Sequence, residues 1–197
     1  MTTMKEIAEK TGVSVSTVSL VLNKRDVGRV KPDIAQRVRQ TATDLGYKPN
    51  PLARSLRTSK TRILGFISEE VATTPYAGGI ILGAQDAAST YGYMLITVST
   101  DGQASEESEI AALKRYGVDG FFYSKMSNRI ATVPKSLSDY PVVLVDATDA
   151  NNTLPSVEPD EFQIAYDATS RLIEAGCERI AYVGCSENMI AQDGRLA

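Results

Sequence analysis

Hydroxyl and basic side chains dominate the chemistry available near the start of this 197-residue sequence. Ser14, Ser16, Thr17 and Ser19 crowd together, Asn23 follows, and Lys24, Arg25 and Arg29 come next, so groups able to bond phosphate oxygens lie close along the chain. A second set follows short apolar runs farther on: Ser68 and Glu69, Thr100 and Asp101, Ser124 and Lys125, Asp146, and Ser186. Hydroxyls and carboxylates in that mixture suit hydrogen bonding to a polyhydroxylated molecule such as a sugar, although solvated loop tips would have the same composition. The set shows no acid–base pair. There is no histidine, which removes Ser-His-Asp and Cys-His triads, His-ligated zinc and a histidine general base. Cys177 and Cys185 form no C-x-x-C pair and read as small buried residues. No catalytic residue, metal site or cofactor is expected.

The elements that must position these groups belong to two parts of opposite charge. Residues 1–62 carry 13 Lys+Arg against 5 Asp+Glu, or +8, while the other 135 carry 8 against 19, or −11, within a net charge of −3. A basic segment of this size can bind nucleic acid through its phosphates; the acidic remainder would be repelled. A merely basic tail is the bland alternative. With 43% hydrophobic and 23% charged residues the composition is that of a globular protein. No apolar run approaches the roughly 20 residues that span a bilayer, and MTTMKEIAEK lacks the apolar core of a secretory signal, so a cytoplasmic protein without a membrane partner is expected.

In the basic part, Thr3 and Glu6 make a capping-box pair before a helix starting near Met4, and Gly12 ends it. Ser14 can cap a second helix, Val15 to about Leu22, with Val18, Val21 and Leu22 on one face and Ser16, Thr17, Leu20 and Asn23 on others. Ala8, Gly12 and Val18 have the spacing of a helix-turn-helix; an ordinary helical hairpin would share it. Pro32, Ile34, Val38 and Leu45 predict a third helix ending around Gly46. YKPNPLARSLRTSKTR then offers a segment too short to be helical alone, with Leu52, Ala53 and Leu56 on one side, which would form only when docked, with DNA the obvious surface.

The runs I-A-E-K-T-G-V-S-V-S-T-V-S-L-V-L-N at 7–23 and G-Y-K-P-N-P-L-A-R-S-L-R at 46–57 resemble the lactose-repressor (LacI/GalR) family of transcription regulators, and the likeness extends from Thr3 to Ala197. The resemblance implies a second helix in the major groove, with base-reading roles for Val15, Ser16 and Leu20 and phosphate contacts for Ser14, Thr17, Ser19 and Asn23; Thr3 and Arg29 join that DNA-contacting set. It implies a hinge helix in the minor groove, with Ala53 against bases, Leu56 as an unstacking wedge, and Asn50, Arg54 and Arg57 near the backbone. The sequence departs from the family pattern at Leu20, where an arginine usually reads guanine; leucine can offer only apolar contact, for example to a thymine methyl. The loop N-K-R-D-V-G-R-V at 23–30 is about two residues longer than the common form, with Lys24, Arg25 and Arg29 as added phosphate contacts. Lys31 replaces a hydroxyl cap.

From Arg62 onward, apolar runs starting at 63, 93, 120, 141 and 179 alternate with helical stretches and predict a parallel α/β sheet. Gly92 and Gly117 end helices, Ser105 begins one, and Asp160 with Gln163 makes a second capping box before a helix ending near Gly176. Ligands in such sheets bind beyond the carboxyl ends of the strands. V-D-G at 118–120, P-V-V-L-V-D at 141–146, E-A-G-C-E-R-I-A-Y-V-G at 174–184 and G-R-L-A at 194–197 are similar to sensor motifs of the same family. They imply a periplasmic-binding-protein-like pair of lobes, with effector contacts at Thr74, Tyr76, Ser124, Asp146 and Arg195, and a sugar, sugar phosphate, purine or nucleoside as effector.

The expected organisation is therefore a helix-turn-helix domain at 1–48, a hinge helix and linker at 49–61, and a partial sensor at 62–197, with a first lobe to about 158 and a second beginning at 159. Stopping before the glycine of R-L-x-G, the chain resembles a fragment of such a regulator. The family implies a homodimer on near-palindromic double-stranded operator DNA, controlled by a small-molecule effector and acting as a repressor. The competing readings are an architectural DNA-binding protein without an effector, a sugar-binding protein without regulation, and an enzyme on a doubly wound sheet. The last would need a phosphate or dinucleotide loop, and Y-A-G-G-I-I-L-G fits neither glycine pattern.

Overall fold

The computed structural model describes residues 2–50, 55, 58–69, 74–100, 103–184 and 190–197. The chain divides into two compact units, Met1–Arg57 and Thr58–Ala197. The first is helical. Helix α1 (Met4–Thr11) starts on the capping box that its sequence announces: Thr3 Oγ1 accepts from Glu6 N at 3.3 Å, and Thr3 N donates to Glu6 Oε2 at 3.1 Å. Gly12 ends it at φ 68°, a conformation open to glycine without a Cβ clash. Helix α2 (Val15–Leu22) is capped by Ser14, and α3 (Pro32–Asp44) begins with proline but has no side-chain cap at Lys31. Ile7, Ala8, Val18, Val21, Ala35, Val38 and Ala42 interlock as the core, with Leu22, Ile34 and Leu45 packed against its edge.

The second unit is an α/β sheet of five parallel strands in the order β2-β1-β3-β4-β5. The strands are β1 (Ile63–Glu69), β2 (Met94–Thr100), β3 (Gly120–Ala131), β4 (Val142–Asp149) and β5 (Ser156–Val157). Helices α4 (Pro75–Thr90) and α5 (Gln103–Arg115) connect the early strands; α6 (Glu161–Glu174) and α7 (Ile190–Leu196) follow the sheet. Ile67, Ile110, Leu113, Phe121, Tyr123 and Leu144 form the heart of its core. Helix-turn-helix and parallel α/β sheet are thus the two architectures. Among the described residues no helix is long and apolar enough to cross a membrane.

Several local expectations need correction. Residues 179–184 are not a strand, and Ile180, Tyr182 and Val183 are exposed. Alternating side chains make a strand only when a neighbouring strand supplies the ladder, and none of the described residues does so there. The two-residue β5 is too short to leave a period in the sequence. Helix α5 begins at Gln103, two residues before Ser105. The second capping box is only half made: Asp160 Oδ1 accepts from Gln163 N at 2.9 Å, but Gln163 Nε2 turns to Asp167 Oδ1 at 2.6 Å. Cys177 is exposed rather than buried, in the wholly exposed stretch 177–184 that follows α6; Cys185 lies outside the described residues.

Candidate nucleic-acid interface and ligand site

Packing of α2 decides which of its side chains remain available. Val18 and Val21 are fully buried against α1 and α3, so the helical period turns Val15 and Ser19, and Ser16 and Leu20, outward as i,i+4 pairs. Val15 is 45% exposed and Ser16 is exposed; Leu20, Ser19 and Thr17 are half-buried. The hydroxyls at the amino end are joined. Ser14 Oγ accepts from Thr17 N at 3.1 Å and lies 2.9 Å from Thr17 Oγ1 and 3.1 Å from Ser16 Oγ. At the other end Asn23 Nδ2 donates to Ser19 O at 2.7 Å and to Ser19 Oγ at 3.3 Å, so Asn23 closes its own helix. Thr3 is an exposed cap, and Arg29 and Asn50 are exposed. The outward surface of α2 therefore offers a serine, a valine and part of a leucine, with Lys24, Arg25 and Arg29 in the loop beyond it. Ala53, Arg54, Leu56 and Arg57, with Leu52, lie outside the described residues; Ser55 and Thr58 have helical backbone.

In the α/β unit, strand register builds a row of polar groups. Ser68 on β1 is level with Ser124 on β3, which is level with Val145 on β4, one residue before Asp146. Ser68, Ser124 and Asp146 are all about 2% exposed or less. Two clusters grow from this row. In one, Lys125 Nζ pairs with Glu69 Oε1 and stands 3.6 Å from Glu106 Oε1, while Tyr123 Oη donates to Glu106 Oε1 at 2.5 Å. Burial and that carboxylate hold the Tyr123 hydroxyl far above its usual range. In the other, the β3–β4 register shifts between Ser124 and Arg129, and two non-glycine residues take left-handed backbone: Asn128 at φ 49° and Asp146 at φ 52°. Asn128 N donates to Asp146 Oδ1 at 3.2 Å, and Asn128 Oδ1 is buried without a partner.

Three of the five expected effector residues, Tyr76, Asp146 and Arg195, lie within electrostatic reach of one position, the Tyr76 hydroxyl. Tyr76, at the start of α4, feels the charges of Asp146, Glu161 and Arg195; burial first, then the two carboxylates, raise its pKa, while the guanidinium opposes them. Arg195 Nε donates to Glu161 Oε2 at 2.5 Å, with Glu161 buried at the first position of α6. Ser124 stands in the buried row, level with Val145. Thr74 instead serves the helix, its Oγ1 accepting from Ala77 N at 3.2 Å as the cap of α4. A cavity of about 420 Å³ adjoins, lined by Tyr76, Ile80, Ala84, Phe122, Val143 and Val145, with Asp146 and Glu158 as its charged groups. Its walls are more apolar than the hydroxyl-rich lining expected from the loop residues. Glu161 and Asn128 were not singled out by sequence; Glu161 hides beside the cap Asp160, and Asn128 depends on a bulge that leaves no periodic trace.

Residues 3–50 match the family described as bacterial regulatory proteins, lacI family, and residues 61–196 match the family of periplasmic binding proteins and sugar binding domain of LacI family. The HTH-type transcriptional regulator RegA of Clostridium saccharobutylicum is 36% identical over 98% of this chain and 58% of its own length. The sucrose operon repressor of Escherichia coli is 32% identical over 89% of this chain and 53% of its own. The chain thus spans about half the length of these relatives. The crystal structure of the lac repressor dimer bound to operator and the anti-inducer ONPF superposes with a TM-score of 0.75 at 20% identity, covering 99% of this chain and 59% of that one, a likeness of fold. A helix-turn-helix unit and a parallel-sheet unit, each matched in order along the sequence, make this chain a member of the LacI family.

Proposed function

We propose that the chain acts in a sequence-specific DNA-binding regulator, a repressor controlled by a small sugar-like effector. The observation carrying this reading is the pairing, in one chain, of a three-helix unit whose second helix turns Val15, Ser16 and Leu20 outward with a sheet whose carboxyl ends gather Tyr76, Asp146, Glu161 and Arg195. Residues 1–48 bind DNA, 49–61 form the hinge, and 62–197 contribute to effector sensing, with a second lobe starting near 159. Two copies read a near-palindromic operator in the cytoplasm, each placing α2 in the major groove. Leu20 reads a base pair by apolar contact, so the half-site differs there from one read by arginine. At the hinge Leu56 wedges between base pairs in the minor groove with Ala53 against the bases, while Asn50, Arg54 and Arg57 lie near the DNA backbone.

On the sensing side a planar, permanently charged guanidinium beside two carboxylates can grip vicinal hydroxyls. The names of the relatives, a sucrose operon repressor among them, support a carbohydrate effector. Control by an effector is a coupling free energy, typically about 1–3 kcal/mol, and is reciprocal. The test measures operator affinity of the complete gene product with and without each of a panel of neutral sugars. A sugar that changes operator affinity must have its own affinity changed by the same factor when operator is present. A binding sugar that leaves operator affinity untouched refutes effector control, and unchanged DNA bending by Leu56→Ala refutes the hinge role.

A further inference from the structure

The loop joining α2 to α3 is held by contacts that the helix-turn-helix core does not require. It leaves α2 through two backbone bonds, Lys24 N to Val21 O at 3.1 Å and Arg25 N to Leu20 O at 2.9 Å. It then closes on itself, with Asp26 O accepting from Arg29 N at 2.9 Å and Val30 N at 3.0 Å. Between these turns the Asp26 side chain is drawn in, 10% exposed, and Arg39 Nη2 on α3 donates to its Oδ2 at 2.6 Å. On either side of this buried carboxylate, Arg25, Val27 and Arg29 point outward, Val27 being 90% exposed. A carboxylate is an odd choice beside a surface meant for phosphates. Its charge repels DNA, and burying it costs free energy that only a close partner offsets.

We propose that Asp26, latched by Arg39, is a positioning residue that fixes Arg25 and Arg29 as a pair of phosphate contacts beyond α2. The inference rests on the DNA-binding reading above. Without the latch the stretch between α2 and the core contact of Val30 is tied only by its turn bonds, and both arginines must be ordered anew at each encounter with DNA. Among the described residues, Arg39 is the one partner on another element that the structure gives the Asp26 carboxylate. The sign of the effect separates positioning from simple charge. Removing an anion near a phosphate-binding surface should tighten binding by electrostatics alone, whereas removing the latch weakens it.

Fluorescence anisotropy of the 197-residue chain with a short labelled duplex, across 50–200 mM salt, reads both. Asp26→Ala should bind more weakly, with a salt slope reduced by up to ~1.8, so that over this range the unaltered chain loses about 12-fold more affinity than the variant. Asp26→Asn keeps the size and an acceptor for Arg39; it should fold, show intact helical circular dichroism, and lose part of the slope. In a chain carrying Arg25→Ala and Arg29→Ala, Asp26→Ala should produce no further loss. Binding as tight as or tighter than the unaltered chain for both Asp26 variants overturns the inference, as does an equal loss in the background lacking Arg25 and Arg29. An unaltered chain that fails to bind any duplex at 50 mM salt overturns the DNA-binding reading, and the latch with it.

Discussion

Lys24→Gly separates the two roles that one loop residue has here, because its effects on stability and on DNA affinity have opposite signs. Lys24 ends α2 at φ 57°, with its N–H bonded to Val21 O and the next N–H to Leu20 O. This is the six-to-one and five-to-two bonding of a Schellman cap, whose left-handed position glycine normally occupies. A side chain there costs about 1–2 kcal/mol, and glycine's extra freedom in the unfolded chain returns about 0.4–1 kcal/mol of that. Taking the middle of each range, the substitution should stabilise the helical unit by about 0.8 kcal/mol, or about 3–6 °C for a domain of this size. The exposed Lys24 charge disappears, and one lost phosphate contact lowers the salt slope by ~0.9, or about 3.5-fold less affinity lost between 50 and 200 mM salt. Differential scanning calorimetry and anisotropy titrations read the two effects on one preparation. A variant no more stable than its parent refutes the strained cap, and an unchanged slope refutes the phosphate contact.

Other substitutions probe the two cores and the buried polar cluster. Val38→Ala removes two methyl groups from the fully buried centre of the three-helix core, at a cost of about 1.5–3 kcal/mol, a large share of what a core of this size supplies; the calorimetric transition of that unit should fall accordingly. Gly65→Ala places a Cβ 2.9 Å from Phe121 Cδ1 and 3.0 Å from Leu113 Cδ1, both side chains buried, so urea unfolding of the α/β unit should show about 1–3 kcal/mol of destabilisation. Tyr123 keeps its proton above the ordinary value of 10.0 in the folded state. Its contribution is fully present below pH 10 and is lost as pH rises further towards the folded pKa, at up to about 1.4 kcal/mol per unit. Tyr123→Phe should lower stability at pH 7 and flatten the alkaline decline, both measurable by urea titration at several pH values.

The helix-turn-helix was legible almost residue by residue because its signals are local. Thr3 and Glu6, Gly12 and Ser14 each mark a helix end through bonds spanning four residues or fewer, Pro32 marks one through its fixed φ and missing N–H, and the apolar period of α2 names the face that Val18 and Val21 bury. The first four predicted strands of the sheet were legible for the same reason. Residues 179–184 misled because alternation reports what a strand would bury, not whether a neighbour is there to pair with it. The proposed ligand site divides along the same line. Asp146 and Arg195 were recognisable from motifs, and Ser68, Glu69, Ser124 and Lys125 from their places at strand ends. Glu161 meets Arg195, and Asn128 meets Asp146, only through contacts across 34 and 18 residues of chain, which depend on the seating of α7 and on a bulge. The Asp26–Arg39 latch is likewise a contact between a loop and a helix that no spacing rule announces.

Sequence reading by α2 is put to the test by selection from a random duplex library. The 197-residue chain, bound to the library at two salt concentrations and recovered through several rounds, should enrich a near-palindrome. Its half-sites should carry a thymine or another methyl-bearing edge where Leu20 reaches, and its centre a flexible step. Substituting Leu20→Arg should shift the preference at that one base pair in each half-site toward guanine. Binding that enriches no sequence, or a consensus that Leu20→Arg leaves unaltered, would show that α2 does not read base sequence through Leu20.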